Sequence, residues 1–191
     1  MSLVALFAGS FDPFHNGHAG VARCLLDGAC CDEVWFVVSP RSPFKTERLL
    51  LDERARLEIV ETATRDNPRT RACDIEFSMP RPSYTARTLE RLSALHPEHR
   101  FRLVIGSDNL PRFSEWRDHE MILARHPLLV YPRPGAPFPS SVPPGATLID
   151  APLFSFSSTV IRDLLSRGED VSRHVPPSVL PLVLHYYSPR F

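Results

Sequence analysis

Two histidines three residues apart, His15 and His18, close the stretch Gly9-Ser10-Phe11-Asp12-Pro13-Phe14, which directly follows an apolar run at residues 3–7. A buried strand entering a tight turn, with imidazoles where a helix begins, would set ring donors beside free backbone N–H groups. That combination is suited to holding a phosphate. Histidines at i, i+3 are also ordinary neighbours on a helix face, and Gly and Pro are ordinary turn residues. The glycines and the position at the first crossover favour the phosphate reading, because a phosphate motif works in that context.

Four further clusters carry donors of the right kind. Ser157-Ser158-Thr159 opens a helix and Arg162 follows one turn inside it, so hydroxyls, helix N–H groups and a guanidinium fork converge as a polyphosphate would need. Hydroxyl caps alone are commonplace. Ser39 begins a stiff loop that ends in Lys45, which is either solvated surface or a cation within reach of the same phosphate. Gly106, Asp108 and Trp116 follow an apolar stretch. The carboxylate could accept from a ribose or order a metal's water, and the indole could stack on a flat ring, although a turn residue and a core tryptophan are the plainer alternatives. Pro82-Ser83-Tyr84-Thr85 is a stiff turn before a helix whose free N–H groups could receive a carboxylate, with Ser83 as the expected cap.

The elements that must position these residues alternate. Strands are expected at residues 3–7, 33–38, 71–77, 101–105, 127–131 and 146–149. Helices are expected at 17–26, 52–64, from Ser83 through Leu95, at 119–124, at 157–165, and from Pro176 to Tyr186. Alternation of this kind predicts an α/β fold with a mainly parallel sheet and helices on both faces. Ligands then bind beyond the carboxyl ends of the strands, where strand order reverses. Gly9 to His18, Ser39 to Lys45, Met79 to Thr85 and Gly106 to Trp116 follow the first four strands in turn, and Arg133 follows the fifth.

At 191 residues one domain is expected over 1–191, with a helical C-terminal portion from about residue 157. Lys+Arg and Asp+Glu are equal at 22 each, so no global field draws nucleic acid or an anionic membrane, and any anion site must be local. Cys24, Cys30, Cys31 and Cys73 form no C-x-x-C pair and suggest reduced thiols. Neither a signal-peptide pattern nor an apolar run of about 20 residues is found, so a soluble, cytoplasmic protein is expected. Proline, 20 of 191 residues, concentrates between Pro132 and Pro144, which reads as a stiff surface loop rather than a helix or a central strand.

Taken together, His15-Asn16-Gly17-His18 and Ser157 to Arg162 resemble the H-x-G-H and S-S-T-x-I-R signatures of the nucleotidyltransferase superfamily. Ser39 to Lys45, Pro82 to Leu89, Gly106 to Trp116 and Tyr131 to Gly135 resemble its bacterial nicotinate-nucleotide adenylyltransferase branch. The resemblance spans nearly the whole chain. It implies a Rossmann-like domain that joins ATP and nicotinate mononucleotide into deamido-NAD and releases pyrophosphate, with magnesium carried by the ATP phosphates and Asp108 touching it through water. It also implies that His15, His18, Lys45 and Arg162 act on the phosphates. Gly9, Ser10, Phe11, His18, Gly106, Asp108, Ser157, Ser158, Thr159 and Arg162 would bind ATP, and Ser39, Lys45, Tyr84, Thr85, Trp116 and Arg133 the mononucleotide.

Three positions depart from the family pattern: Ala8 replaces a glycine, Ser42 an asparagine, and Arg87 stands where an acidic residue is common. Phosphopantetheine adenylyltransferase shares the superfamily signatures, and a non-catalytic nucleotide-binding module could share the sheet. An aminoacyl-tRNA synthetase fragment would share the histidines but need a basic surface. Homo-oligomer formation is left open.

Overall fold

A computed structural model describes residues 1–40, 50–138 and 141–187. Six strands, β1 (Ser2–Gly9), β2 (Glu33–Val38), β3 (Thr70–Cys73), β4 (His99–Gly106), β5 (Leu128–Tyr131) and β6 (Ala146–Leu148), form one sheet in the order β3-β2-β1-β4-β5-β6. Every neighbouring pair is parallel. Strand order reverses between β1 and β4, which opens a crevice beyond their carboxyl ends. This is a Rossmann-like, doubly wound architecture.

Helices cover both faces because the strands alternate. Ala5, Phe7, Phe36 and Val104 face α1 (Asn16–Asp27), α2 (Glu53–Thr64), α5 (Ser158–Ser166) and α6 (Leu180–Tyr187) through Leu25, Ile59, Ile161 and Val183. Their neighbours Leu6, Trp35, Leu103 and Val130 pack instead with Leu89 and Leu92 of α3 (Thr85–Leu95) and Ile122 of α4 (His119–Arg125). Each such large side chain taken fully out of water stabilises the fold by about 1.5–3 kcal/mol. The C-terminal helices therefore share a core with the first two helices. None of the described helices is long and apolar enough to cross a membrane.

Three local expectations are corrected. The strand expected at 71–77 stops at Cys73, and Ile75–Ser78 is a 3-10 turn closed by the Phe77 N–H donating to the Asp74 carbonyl at 2.8 Å. The alternation of Ile75 and Phe77 mimics a strand, but those residues fold over the end of the sheet. Ser83 is not the cap of α3, which starts at Thr85. Its hydroxyl donates instead to Glu76 at 2.7 Å. Pro176 does not open the last helix, since a 3-10 turn at Pro177–Val179 leads into α6 at Leu180.

Candidate functional site

The turn from β1 to α1 is a buried aromatic knot. Phe11 has φ 45°, a left-handed conformation that non-glycine residues rarely adopt, and its ring lies edge-on to His18 at 4.9 Å. Phe14 and Phe36 complete the cage. The two imidazoles stack at 3.7 Å. Gly17 permits this, because a Cβ there would lie 2.9 Å from the His15 ring.

Hydrogen bonds fix how the imidazoles point. Nδ1 of His15 accepts from the Gly17 N–H at 3.1 Å, and Nδ1 of His18 accepts from the His15 N–H at 3.2 Å. An acceptor Nδ1 in a neutral ring leaves the proton on Nε2, so each ring can offer an Nε2–H donor. Burial, then Arg133 and His174, lowers the pKa of His15 to about 3, so this ring is neutral at physiological pH. The expectation of free backbone donors at the start of α1 needs correction. The Asn16 N–H donates to the His174 carbonyl at 2.8 Å, Gly17 to the His15 ring, and His18 to the His15 carbonyl at 2.9 Å. At this turn the imidazoles line the cleft, while these helix N–H groups are already engaged.

Two residues that the sequence reading passed over hold the turn. Arg56, buried on α2, donates to the carbonyls of Ser10 (2.5 Å), Ser39 (2.9 Å), Pro40 (3.1 Å) and Leu51 (2.9 Å), tying the loops after β1 and β2 together. Burial pulls its pKa down and the charge of Asp12 opposes that. A cation at the head of the apolar stripe formed with Ile59, Val60 and Ala63 is the signal that marks it. Asp12, also buried, accepts from the Tyr187 hydroxyl at 2.7 Å and from the Leu51 N–H at 3.3 Å, and its carboxylate lies 3.5 Å from Arg162.

The start of α5 docks against this turn across the length of the chain. Ser157 caps the helix, its Oγ accepting from the Val160 N–H at 3.4 Å, and Ser158 Oγ donates to the Pro13 carbonyl at 2.9 Å. Arg162 donates to the Asp12 carbonyl and, at 3.0 Å, to Thr159 Oγ1. Its guanidinium is therefore turned toward the turn it braces.

On the other side of the β1/β4 reversal lies a more open group. Tyr84 precedes α3 with no side chain capping the helix, and Glu76 holds the turn by accepting from Ser83 and, at 2.8 Å, from Thr88. Uncapped first-turn N–H groups suit a carboxylate. The Tyr84 ring is faced by Arg117 at 5.0 Å and Arg87 at 6.0 Å. Trp116, half-buried, packs on Phe113 at 5.3 Å. Arg133 lies 3.8 Å from exposed Asp108 and is positioned by its own N–H donating to Ser107 Oγ at 2.9 Å. Gly106 makes room, since a Cβ there would meet Asp108 at 2.3 Å and Arg133 at 2.8 Å. The start of the proline-rich segment is anchored here too, through Ser107 Oγ donating to the Ala136 carbonyl at 2.6 Å.

One cleft of about 1140 Å³ joins the two groups. It brings together Gly9, Ser10, Phe11, His15, His18, Ser39, Tyr84, Thr85, Gly106, Asp108, Trp116, Arg133, Ser157, Ser158, Thr159 and Arg162. Lys45 and Ser42 lie outside the described residues. Ala8 lines the cleft, as do Asp12, Asn109, Glu115 and Arg117, which the sequence did not single out as ligand-binding. Arg87 does not line the cleft and lies 6.0 Å from the Tyr84 ring.

Residues 6–164 match the family model described as cytidylyltransferase-like. A Bacteroides fragilis (strain YCH46) protein named "Probable nicotinate-nucleotide adenylyltransferase" is 43% identical over 94% of this chain and 90% of its own length. A protein of the same name from Cytophaga hutchinsonii is 43% identical over 97% and 98%. Among solved structures, Plasmodium falciparum nicotinic acid mononucleotide adenylyltransferase complexed with NaAD is similar with a TM-score of 0.81, covering 97% of this chain and 96% of that one. At 21% identity that likeness speaks to the fold.

Proposed function

Because the chain belongs to the cytidylyltransferase-like family, we infer that it is a nicotinate-nucleotide adenylyltransferase, transferring the adenylyl group of ATP to nicotinate mononucleotide and releasing pyrophosphate. The observation that carries this reading is the single cleft in which the His15/His18 turn and the α5 start meet Tyr84 and Trp116 across the strand reversal. A polyphosphate half and an aromatic half, side by side, suit the joining of two nucleotides.

The mononucleotide phosphate attacks the α-phosphorus of ATP and the bond to pyrophosphate breaks, so no protein nucleophile is needed. Catalysis then consists of positioning and charge stabilisation. Neutral His15, with His18, donates Nε2–H to the α-phosphate oxygens as charge builds there. Gly9, Ser10 and Phe11 follow the ATP backbone, and the α5 start at Ser157–Thr159 receives the outer phosphates. Arg162, committed to Asp12 and Thr159, adds positive field and keeps α5 against the turn. Lys45 neutralises the transferring phosphate. Asp108 and Gly106 meet the ATP ribose.

Trp116 stacks on the pyridine, Tyr84 and Thr85 present N–H groups to its carboxylate, and Ser39 and Arg133 hold the mononucleotide phosphate. An amide in place of the carboxylate would turn its NH₂ toward donors and leave them unpaired, a mismatch that gives strong discrimination. Magnesium would arrive with the triphosphate and neutralise charge on its phosphates, and exposed Asp108 would hold one of its waters.

Pyrophosphate release with ATP, magnesium and each of nicotinate mononucleotide, nicotinamide mononucleotide and phosphopantetheine tests this function. The expected order puts nicotinate mononucleotide first. Preference for phosphopantetheine, or equal use of the two pyridine nucleotides, overturns the assignment.

A further inference from the structure

At the end of the sheet opposite the cleft, His96, Glu98 and His99 offer three ligand atoms that all lie within 4.8 Å of one another, the one such His/Cys/Asp/Glu group among the described residues. His96 ends α3 and His99 begins β4, whose eight residues, about 25 Å of strand, separate this group from Gly106 in the cleft. We propose that His96, Glu98 and His99 bind a divalent transition-metal ion of the zinc class, with water completing the coordination.

The spacing is the first support. Glu98 Oε1 lies 3.3 Å from His96 Nδ1 and 3.4 Å from His99 Nε2. Charge-assisted N–H···O bonds are shorter, about 2.7–2.9 Å. The edge of a tetrahedron with metal–ligand bonds of about 2.0–2.1 Å is about 3.3–3.4 Å. Two imidazoles and one carboxylate are also a borderline donor set that favours zinc, cobalt, nickel or copper over magnesium.

The surroundings are the second. Nδ1 of His99 is hydrogen-bonded to the Ser2 hydroxyl, which orients the ring and turns Nε2 toward Glu98, as an outer-shell partner does in a metal site. Trp35, buried in β2, packs edge-on against both rings, at 4.9 Å from His96 and 5.3 Å from His99, and restricts their rotamers. A bound ion would tie the end of α3 to the start of β4 and, through Ser2, to β1.

Trp35 supplies the probe. The chain has two tryptophans, so Trp116→Phe in tag-free protein leaves Trp35 emission alone. One equivalent of Co²⁺ or Ni²⁺ should quench it, Zn²⁺ should displace the quencher, a chelator should restore emission, and millimolar Mg²⁺ should not compete. Ser2→Ala should weaken binding about 10-fold. Glu98→Gln, an exposed change that leaves the packing intact, should weaken it at least as much, and His96→Ala/His99→Ala should abolish it. Zn²⁺ at a hundred times its Kd should raise the thermal midpoint by about 5–10 °C in the parent and not in Glu98→Gln. Unchanged quenching in Glu98→Gln overturns the proposal, as does a thiolate-to-cobalt charge-transfer band or the lack of stoichiometric quenching at 100 μM protein, roughly.

Discussion

The two halves of the cleft are built differently. Around His15 the chain is buried and cross-tied, with contributions from the turn after β1, the loop after β2, α2, α5 and Tyr187 of α6 converging on Asp12 and Arg56. Around Trp116, apart from the buried Phe113 beneath it, the aromatic and cationic side chains are half-buried or exposed and meet through ring and ion contacts of 3.8 to 6.0 Å. On the proposed function, the His15 half is the phosphate half, and fixed donors suit it because charge would develop there in the transition state and reorganisation would be costly. On the same reading, the Trp116 half is a pyridine half that has only to recognise a ground-state ring, for which stacking and helix N–H groups suffice.

The largest effect that could break this contrast is at Arg56. Arg56→Met removes a buried cation and leaves four carbonyls without their donor, so a loss of about 3–5 kcal/mol is expected, read by denaturant unfolding. A loss below about 1 kcal/mol would mean that the phosphate half is not held in this way.

His18→Ala should lower kcat about 100-fold or more, as deletion of a transition-state donor does, with little change in the KM for the mononucleotide. Trp116→Ala should do the reverse, raising that KM roughly 10-fold while kcat falls much less. Equal effects of both variants on both constants would erase the division of labour.

The two halves were also unequally legible in the sequence. The phosphate signatures are contiguous, so His15, His18 and Ser157 to Arg162 stand out, as do the apolar runs of β1, β2, β4 and β5. Arg56 and Asp12 were missed as organisers because their partners lie 39 to 175 residues away along the chain or are backbone carbonyls, which leave no mark in composition. Ser83 was misread because a hydroxyl before a helix fits a cap, whereas the buried Glu76 that takes it is set by the fold. In the pyridine half, neither the approach of Arg117 to the Tyr84 ring nor the left-handed φ of 56° at Asp118 before α4 is apparent from the residue types.

Acid should expose the same asymmetry. The buried His15 ring stays neutral down to about pH 3, while in the unfolded chain it takes a proton near 6.5. The unfolded state therefore binds the extra proton between these values, and stability falls as pH drops from about 6.5, by about 1.4 kcal/mol per unit once below it. Above pH 6.5 the ring contributes no slope. Denaturant unfolding at pH 7.5, 6 and 5 should show this, and His15→Gln should remove about one proton's worth of the dependence. An identical slope in the variant would place the acid sensitivity elsewhere.

The smallest expected effect bears on the open half. Arg87 is exposed, 6.0 Å from the Tyr84 ring and outside the cleft lining, where a cation over an aromatic face is worth about 0.5–1 kcal/mol. Arg87→Glu loses that contact and sets a negative charge near the turn proposed to receive the pyridine carboxylate. Exposure screens the charge, and Arg117, closer to the same ring at 5.0 Å, offsets the lost contact. The KM for nicotinate mononucleotide should therefore rise about 2- to 5-fold with kcat and ATP binding unchanged, the increase shrinking at high salt. A fall in kcat would mean instead that the pyridine half is coupled to the phosphate half more rigidly than its loose contacts imply.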